Sequence, residues 1–285
     1  MKLGIYGSAY CQRYGDERYI KMKSHGYDCA DYGLADTDNG PAYLLAEDEA
    51  KALVTQEAEL AAKAGIEISQ IHGPWRWPPL DVTPEGRVIR LEQMKRSVRL
   101  ASYIGVKNWV VHPIMPFGID DKGTDNEKAT HDLNIEFMSS LLEEAKKYGV
   151  IICLENMPMP KFSIGTPEEI LDFVKEMNDE SFRICLDTGH VNVYDGKLNI
   201  GDEVRRLGSY IKCLHVHDNK YNRDMHLMPY FGTIDWEGFV KGLRDIKYQG
   251  VFSLETNPPT ELPGELFEQQ SAVLNRIAKQ LTETL

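Results

Sequence analysis

The strongest constraint on the fold is a repeated alternation of two kinds of segment. Eight short apolar runs stand at residues 3–6, 27–32, 66–72, 108–112, 150–155, 182–187, 211–217 and 251–255. Several are almost continuously apolar, as parallel strands covered on both faces must be. Helical spacing fills the segments between them. Residues 47–64, 87–104 and 132–148 each run up to a glycine, Gly65, Gly105 and Gly149, the residue that most readily closes a helix in the left-handed conformation. Thr166-Pro-Glu-Glu169 reads as a capping box with proline at the first helical position, and 236–243 and 266–281 supply the last two helices. Strand and helix alternating about eight times, with no low-complexity linker and no shift in composition, is the pattern of a single α/β domain, a (β/α)8 barrel over residues 1–285. An open doubly wound sheet is the rival architecture, but Gly4-Ile-Tyr-Gly7 is not a phosphate-binding fingerprint.

In such a barrel the chemistry sits where the strands end. Those ends carry metal-ligand residue types: His72, His112, Glu155, Asp187, His217 and Glu255. His190 follows in the Asp187-Thr-Gly-His190 turn, and Asp224 and His226 lie after the seventh strand. Of eight histidines, His25 and His131 alone fall elsewhere. Side-chain direction alternates along a strand, so Cys153, Cys185, His215 and Ser253 should form a layer beneath a ring of Glu155, Asp187, His217 and Glu255. On this reading His217 is the metal ligand and His215 its support one layer down. The reverse assignment stays open, especially if a second metal binds, with His215, Asp224 and His226 as the second-metal or supporting residues. The cysteines read as compact packing residues.

Three carboxylates and an imidazole make a hard, open site suited to Mn2+, Zn2+ or Mg2+, unlike a closed structural zinc. Converging carboxylates without a cation would be costly. Singly, each residue has a plainer reading. Asp187 can cap its turn, His112 before Pro113 can be a satisfied core histidine, and Glu255 can be a solvated loop acid. Ligand types at four consecutive strand ends favour the metal site jointly.

Net charge of -12 argues against a nucleic-acid partner, which would call for clustered Lys and Arg. Five cysteines include no Cys-x-x-Cys pair, the first residues form no signal-like apolar run, and no stretch is long enough to span a membrane. The expectation is a cytoplasmic protein with reduced thiols.

The motifs Gln70-Ile-His-Gly-Pro74, Val110-Val-His-Pro113, Leu154-Glu-Asn156, Leu186-Asp-Thr-Gly-His190, Leu214-His-Val-His-Asp-Asn219 and Ser253-Leu-Glu255 resemble the xylose isomerase-like TIM-barrel superfamily, in particular its sugar (phosphate) isomerase/epimerase group. The resemblance covers nearly the whole chain. It implies that Glu155, Asp187, His217 and Glu255 hold one divalent metal, with no organic cofactor. It also implies that Glu155 and Glu255 move protons on opposite faces of the substrate, and that His190 and Arg223 contact substrate oxygens. Lys161 stands where the ketose 3-epimerases carry an acid. His72, His112 and Trp75 are further expected substrate contacts, with Trp75 and Trp77 able to stack on a sugar face and Trp109 placed in the core.

The expected activity is isomerisation or epimerisation of a sugar or sugar-like keto-polyol through an enediolate. A keto-sugar or inosose dehydratase would use the same residues. The related endonuclease IV branch uses three zinc ions, and candidates for every ligand exist here: His72, His112, Glu155, Asp187, His190, His215 or His217, Asp224, His226 and Glu255. The acidic loop at 116–127 and the aromatic Gly73-Pro-Trp-Arg-Trp-Pro-Pro79 loop do not form the basic groove a nuclease needs. A non-enzymatic sugar-binding barrel is the reading from a different class. Relatives of this kind are often oligomeric, so a homo-oligomer is a further expectation.

Overall fold

The structure is a computed structural model that describes residues 1–33, 40–75, 77–79, 81–194, 196–221, 223–283 and 285. Arg76 of the aromatic loop therefore lies outside the described residues. Eight parallel strands follow one another around a barrel: β1 (Leu3–Tyr6), β2 (Cys29–Gly33), β3 (Glu67–His72), β4 (Asn108–Val111), β5 (Ile151–Glu155), β6 (Phe182–Asp187), β7 (Ile211–His215) and β8 (Phe252–Leu254). Each pairs with its chain neighbour, and β1 pairs with β8. Closure between β7 and β8 uses a single step beyond the end of β7. Val216 bridges Leu254, with Val216 N donating to Ser253 O at 2.8 Å and Glu255 N to Val216 O at 3.0 Å. That step brings the residues just after β7 against Glu255.

Local signals in the chain account for the helices that space these strands. Helix Glu47–Lys63 leads into Gly65 (φ 72°), and helix Glu127–Tyr148 stops at Gly149 (φ 67°), a backbone region that only glycine occupies without strain. Thr166 caps helix Pro167–Met177, its Oγ1 accepting from Glu169 N at 3.2 Å while Glu169 accepts from Thr166 N at 2.8 Å. The expected helix at 87–104 begins earlier, at Pro84, because Thr83 Oγ1 caps it by accepting from Gly86 N at 3.0 Å. Trp109 is fully buried, its indole N–H donating to Ser97 Oγ at 2.9 Å. Among the described residues no helix is long and apolar enough to cross a membrane.

Strand register changes one expectation. The layer inside the barrel beneath the strand ends contains Cys153, Cys185 and Cys213 with Val110. Cys185 pairs with Cys213, and Asp187 pairs with His215, after a register shift at Ile184/Cys185. His215 therefore stands level with Asp187, and His217 stands two residues beyond the strand. A layer of Cys153, Cys185, His215 and Ser253 at one height would need flush strand ends, whereas a closed barrel staggers them. Burial raises the thiols of Cys185 and Cys213 well above their usual range, so they remain protonated packing residues.

Candidate metal centre

A cavity of about 270 Å3 opens at the C-terminal ends of the strands. Its polar side is lined by His72, His112, Glu155, His190, Asp224, His226 and Glu255, and its apolar side includes Trp75, Trp77, Met115, Met157 and Met159. This lies just below the usual range of about 300–1,000 Å3 for ligand sites, which matches a compact molecule. Trp75 is 40% exposed and packs against His112 with ring centroids 5.6 Å apart.

The central group is Glu155, Asp187, His215 and Glu255, whose ligand atoms all lie within 4.8 Å of one another. His215 Nδ1 lies 2.9 Å from Glu155 Oε1 and 3.5 Å from Glu255 Oε2. The structure thus brings His215, not His217, among the three acids. The difference follows from the stagger described above. His217 instead approaches Asp187 Oδ2 at 3.0 Å from its Nε2, with the His226 ring stacked on it at 4.1 Å.

Two flanking groups adjoin the centre. His72 Nε2 and His112 Nε2 lie 3.4 and 3.1 Å from Glu155 Oε2. On the other side Asp224 Oδ2 is 3.3 Å from both His190 Nε2 and His226 Nε2. The His226 side chain keeps 44% of its surface exposed, which places this second group toward the mouth.

Hydrogen bonding decides which nitrogen each histidine presents. A carbonyl oxygen can only accept, so its imidazole partner must carry the proton. His72 Nδ1 donates to Gly73 O at 2.8 Å, His190 Nδ1 to Asn156 O at 2.7 Å, and His226 Nδ1 to Glu255 O at 2.8 Å. In each case Nε2 turns toward carboxylates. His215 reverses the order, with Nε2 at 3.0 Å from Asp31 Oδ2 and Nδ1 facing the acids. Metal-binding imidazoles are held in this way, one nitrogen anchored and the other bare. His217 is different: its buried Nδ1 has no hydrogen-bond partner.

The donor set fits a divalent cation. Glu255 Oε2 is buried without a hydrogen-bond partner, and three carboxylates surround one imidazole nitrogen. Burial, then the charges of Glu155 and Asp187, push the Glu255 carboxyl up to about 7 against the pull of His215 and His226. Burial disfavours a charged His215, but Cys185, Glu255, Glu155 and Asp31 outweigh it and raise its pKa well above the usual value. Protons on His215 and Glu255 thus offset the clustered charge of the metal-free chain, and a cation would replace them.

Loop residues hold the frame. Asn156 Nδ2 donates to Asp187 O at 3.0 Å, and its Oδ1 accepts from Asp187 N at 2.8 Å. Asp187 Oδ1 caps the following turn through His190 N at 2.7 Å, the plainer role weighed from the sequence, while Oδ2 faces His217 Nε2 at 3.0 Å. Asp218 accepts from Trp236 Nε1 at 3.0 Å and from Ile234 N at 3.2 Å, which fixes the loop bearing Asp224 and His226.

Sequence reasoning missed Asp31, Asp81 and Arg90. Asp31 is fully buried within β2, and its alternation with Cys29 was the available signal. Asp81 and Arg90 line the cavity and pair at 3.3 Å; they sit in a long loop and in a helix, where no strand-end rule points. Arg223 is exposed and stands apart from the cavity lining.

Eight parallel strands with His, Asp and Glu side chains gathered at their C-terminal ends define a (β/α)8 barrel with a candidate metal centre. The chain belongs to the xylose isomerase-like TIM barrel family, which it matches over residues 20–277. It is 28% identical over 198 residues to a D-psicose 3-epimerase of Ruminiclostridium cellulolyticum, an alignment covering 67% of this chain and 64% of the epimerase. It is 27% identical over 217 residues to a probable endonuclease 4 of Acholeplasma laidlawii, covering 70% and 69% of the two chains. Among solved structures, a D-tagatose 3-epimerase-like protein superposes with a TM-score of 0.76 at 24% identity, covering 99% of this chain and 98% of that one. The IOLI protein with a zinc atom superposes with a TM-score of 0.75 at 19% identity, covering 99% and 98%. These two structures share the fold.

Proposed function

We propose that the protein is a divalent-metal-dependent isomerase or epimerase of a sugar or sugar-like keto-polyol. The observation that carries this reading is the placement of two cavity-lining glutamates, Glu155 and Glu255, against the same nitrogen of His215, Nδ1, at 2.9 and 3.5 Å. The reading is also supported by the similarity to a D-psicose 3-epimerase. Glu155, Asp187, His215 and Glu255 would hold the cation. When bound, it supplies the positive charge that polarises a carbonyl and favours the negative charge developing on its oxygen.

One glutamate then takes the proton from the carbon next to the carbonyl, leaving an enediolate, and the other returns a proton to the substrate. His72, His112 and His190 face the same space and orient substrate oxygens. Trp75 and Trp77 close the apolar side and exclude water. Among the described residues Arg90 is the one Lys or Arg in the lining, and it pairs with Asp81. With four acids in the same lining, a neutral polyol suits the cavity better than a phosphorylated sugar.

A dehydratase would begin with the same proton removal and then expel a hydroxyl group as water. A metallo-hydrolase is the second reading, favoured by one observation: Asp224 sits at 3.3 Å from both His190 and His226, while His72 and His112 form another candidate group with Glu155, which the central group shares. Together these groups offer room for more than one cation. Metal analysis of the purified protein, paired with assays on ketoses, aldoses, inososes and abasic DNA, tests the proposal. One essential divalent ion with ketose or inosose turnover supports it. Three zinc ions with cleavage of abasic DNA would replace it with the hydrolase.

A further inference from the structure

Asp31 contributes to neither the cavity lining nor the ligand groups, yet it is fully buried and touches the central histidine. Its Oδ2 lies 3.0 Å from His215 Nε2 and accepts from Gln70 Nε2 at 2.7 Å. Gln70 also donates toward Leu214 O at 3.4 Å, so β2, β3 and β7 are tied across the barrel interior at this level.

We infer that Asp31 is the positioning residue of the metal centre, holding His215 with its proton on Nε2 and its Nδ1 lone pair aimed at Glu155, Asp187 and Glu255. This inference rests on the metal-dependent reading above. Two features select Asp31 for the role. In the metal-free chain carboxylates stand at both ring nitrogens, Glu155 at 2.9 Å from Nδ1 and Asp31 at 3.0 Å from Nε2; a cation among the acids displaces the proton on Nδ1, and the Asp31 carboxylate keeps the remaining proton on Nε2. The other anchored histidines lean on backbone carbonyls, whereas His215 leans on a carboxylate, which also increases the donor strength of the ring. The carboxylate acts through His215 and makes no contact with substrate. Losing such a partner lowers metal affinity by about 10–100-fold.

The test is Zn2+ affinity of the wild-type chain and of Asp31→Asn, measured by chelator competition. Melting of both metal-free proteins is followed in parallel to register any loss of fold. Asp31→Asn should bind Zn2+ about 10–100-fold more weakly than wild type, and its melting temperature should gain less on Zn2+ addition. Equal affinity in the two proteins overturns the inference while leaving the metal reading intact. Failure of the wild-type chain to bind any divalent ion overturns the metal reading itself. If Asp31→Asn does not fold, nitrogen-15 spectra of the Zn2+-loaded wild type decide the matter. A proton on His215 Nε2 with metal at Nδ1 supports the assignment, and metal at Nε2 overturns it.

Discussion

His215 and His217 leave the same strand end yet serve different acids: His215 Nδ1 lies 2.9 Å from Glu155, and His217 Nε2 lies 3.0 Å from Asp187. His215 has a carboxylate anchor on its far nitrogen, and His217 has a buried nitrogen without a partner. Removal of the two rings should therefore have unequal consequences. His215→Ala should lower divalent-metal affinity by more than about 100-fold, beyond the range for loss of a supporting partner. His217→Ala should lower it less and chiefly loosen Asp187. Calorimetric titration of both variants with Mn2+ or Zn2+ checks the order, and a larger loss in His217→Ala would reverse it.

Metal binding should depend on pH through Glu255. Its carboxyl is pushed up to about 7, chiefly by burial, so in the metal-free chain it holds a proton below that pH and loses it above. A cation requires the ionised form. Apparent affinity should rise from pH 5 to about 7, with protons released on binding, and then rise more slowly. Titrations in buffers of different ionisation enthalpy count those protons. Glu255→Gln should flatten the rise, because its amide does not titrate.

Gly189 is a packing constraint on His217. A Cβ there would lie 2.0 Å from His217 Cε1 and 2.4 Å from its Nδ1, closer than any tolerated contact, so the ring would have to move. Gly189→Ala should destabilise the protein by about 1–3 kcal/mol, the ordinary cost of overpacking a filled interior. Chemical denaturation measures this directly. An unchanged midpoint would show that the ring moves at no cost.

Asp218 ties the loop after β7 to the barrel through Trp236 and Ile234. Asp218→Ala leaves buried donors without an acceptor, at about 1–3 kcal/mol for each. Stability should fall, and occupancy of the outer group around Asp224 and His226 should fall more than that of the central group. Metal stoichiometry of the variant under limiting Zn2+ separates the two effects.

The fold was legible because its signals are local. Glycines at 65 and 149 and the Thr166–Glu169 box act within a turn of chain, and the structure uses each of them. The acids at strand ends were legible for a similar reason, since Glu155, Asp187 and Glu255 follow apolar runs that can hardly be anything but buried strands. The relative height of neighbouring strands is a property of barrel closure. The pairing of Asp187 with His215 therefore appears only in the folded register, and it is the His215 ring that groups with all three acids. Asp31 was hidden by its position within an apolar run, and Arg90 by its place on a helix. Arg223, named through the family resemblance, is exposed and does not line the cavity.

The central claim is that Glu155 and Glu255 exchange protons with a carbon next to a carbonyl. Solvent deuterium wash-in, run on the metal-loaded protein with a panel of ketoses, aldoses and inososes, tests it most directly. At least one compound should gain a single deuterium at that carbon, and removal of the metal should stop the exchange. Glu155→Gln and Glu255→Gln should each slow turnover by about 10²–10⁴-fold, the range for loss of a general acid or base. Absence of exchange into every compound, or exchange that persists unchanged in both variants, would contradict it.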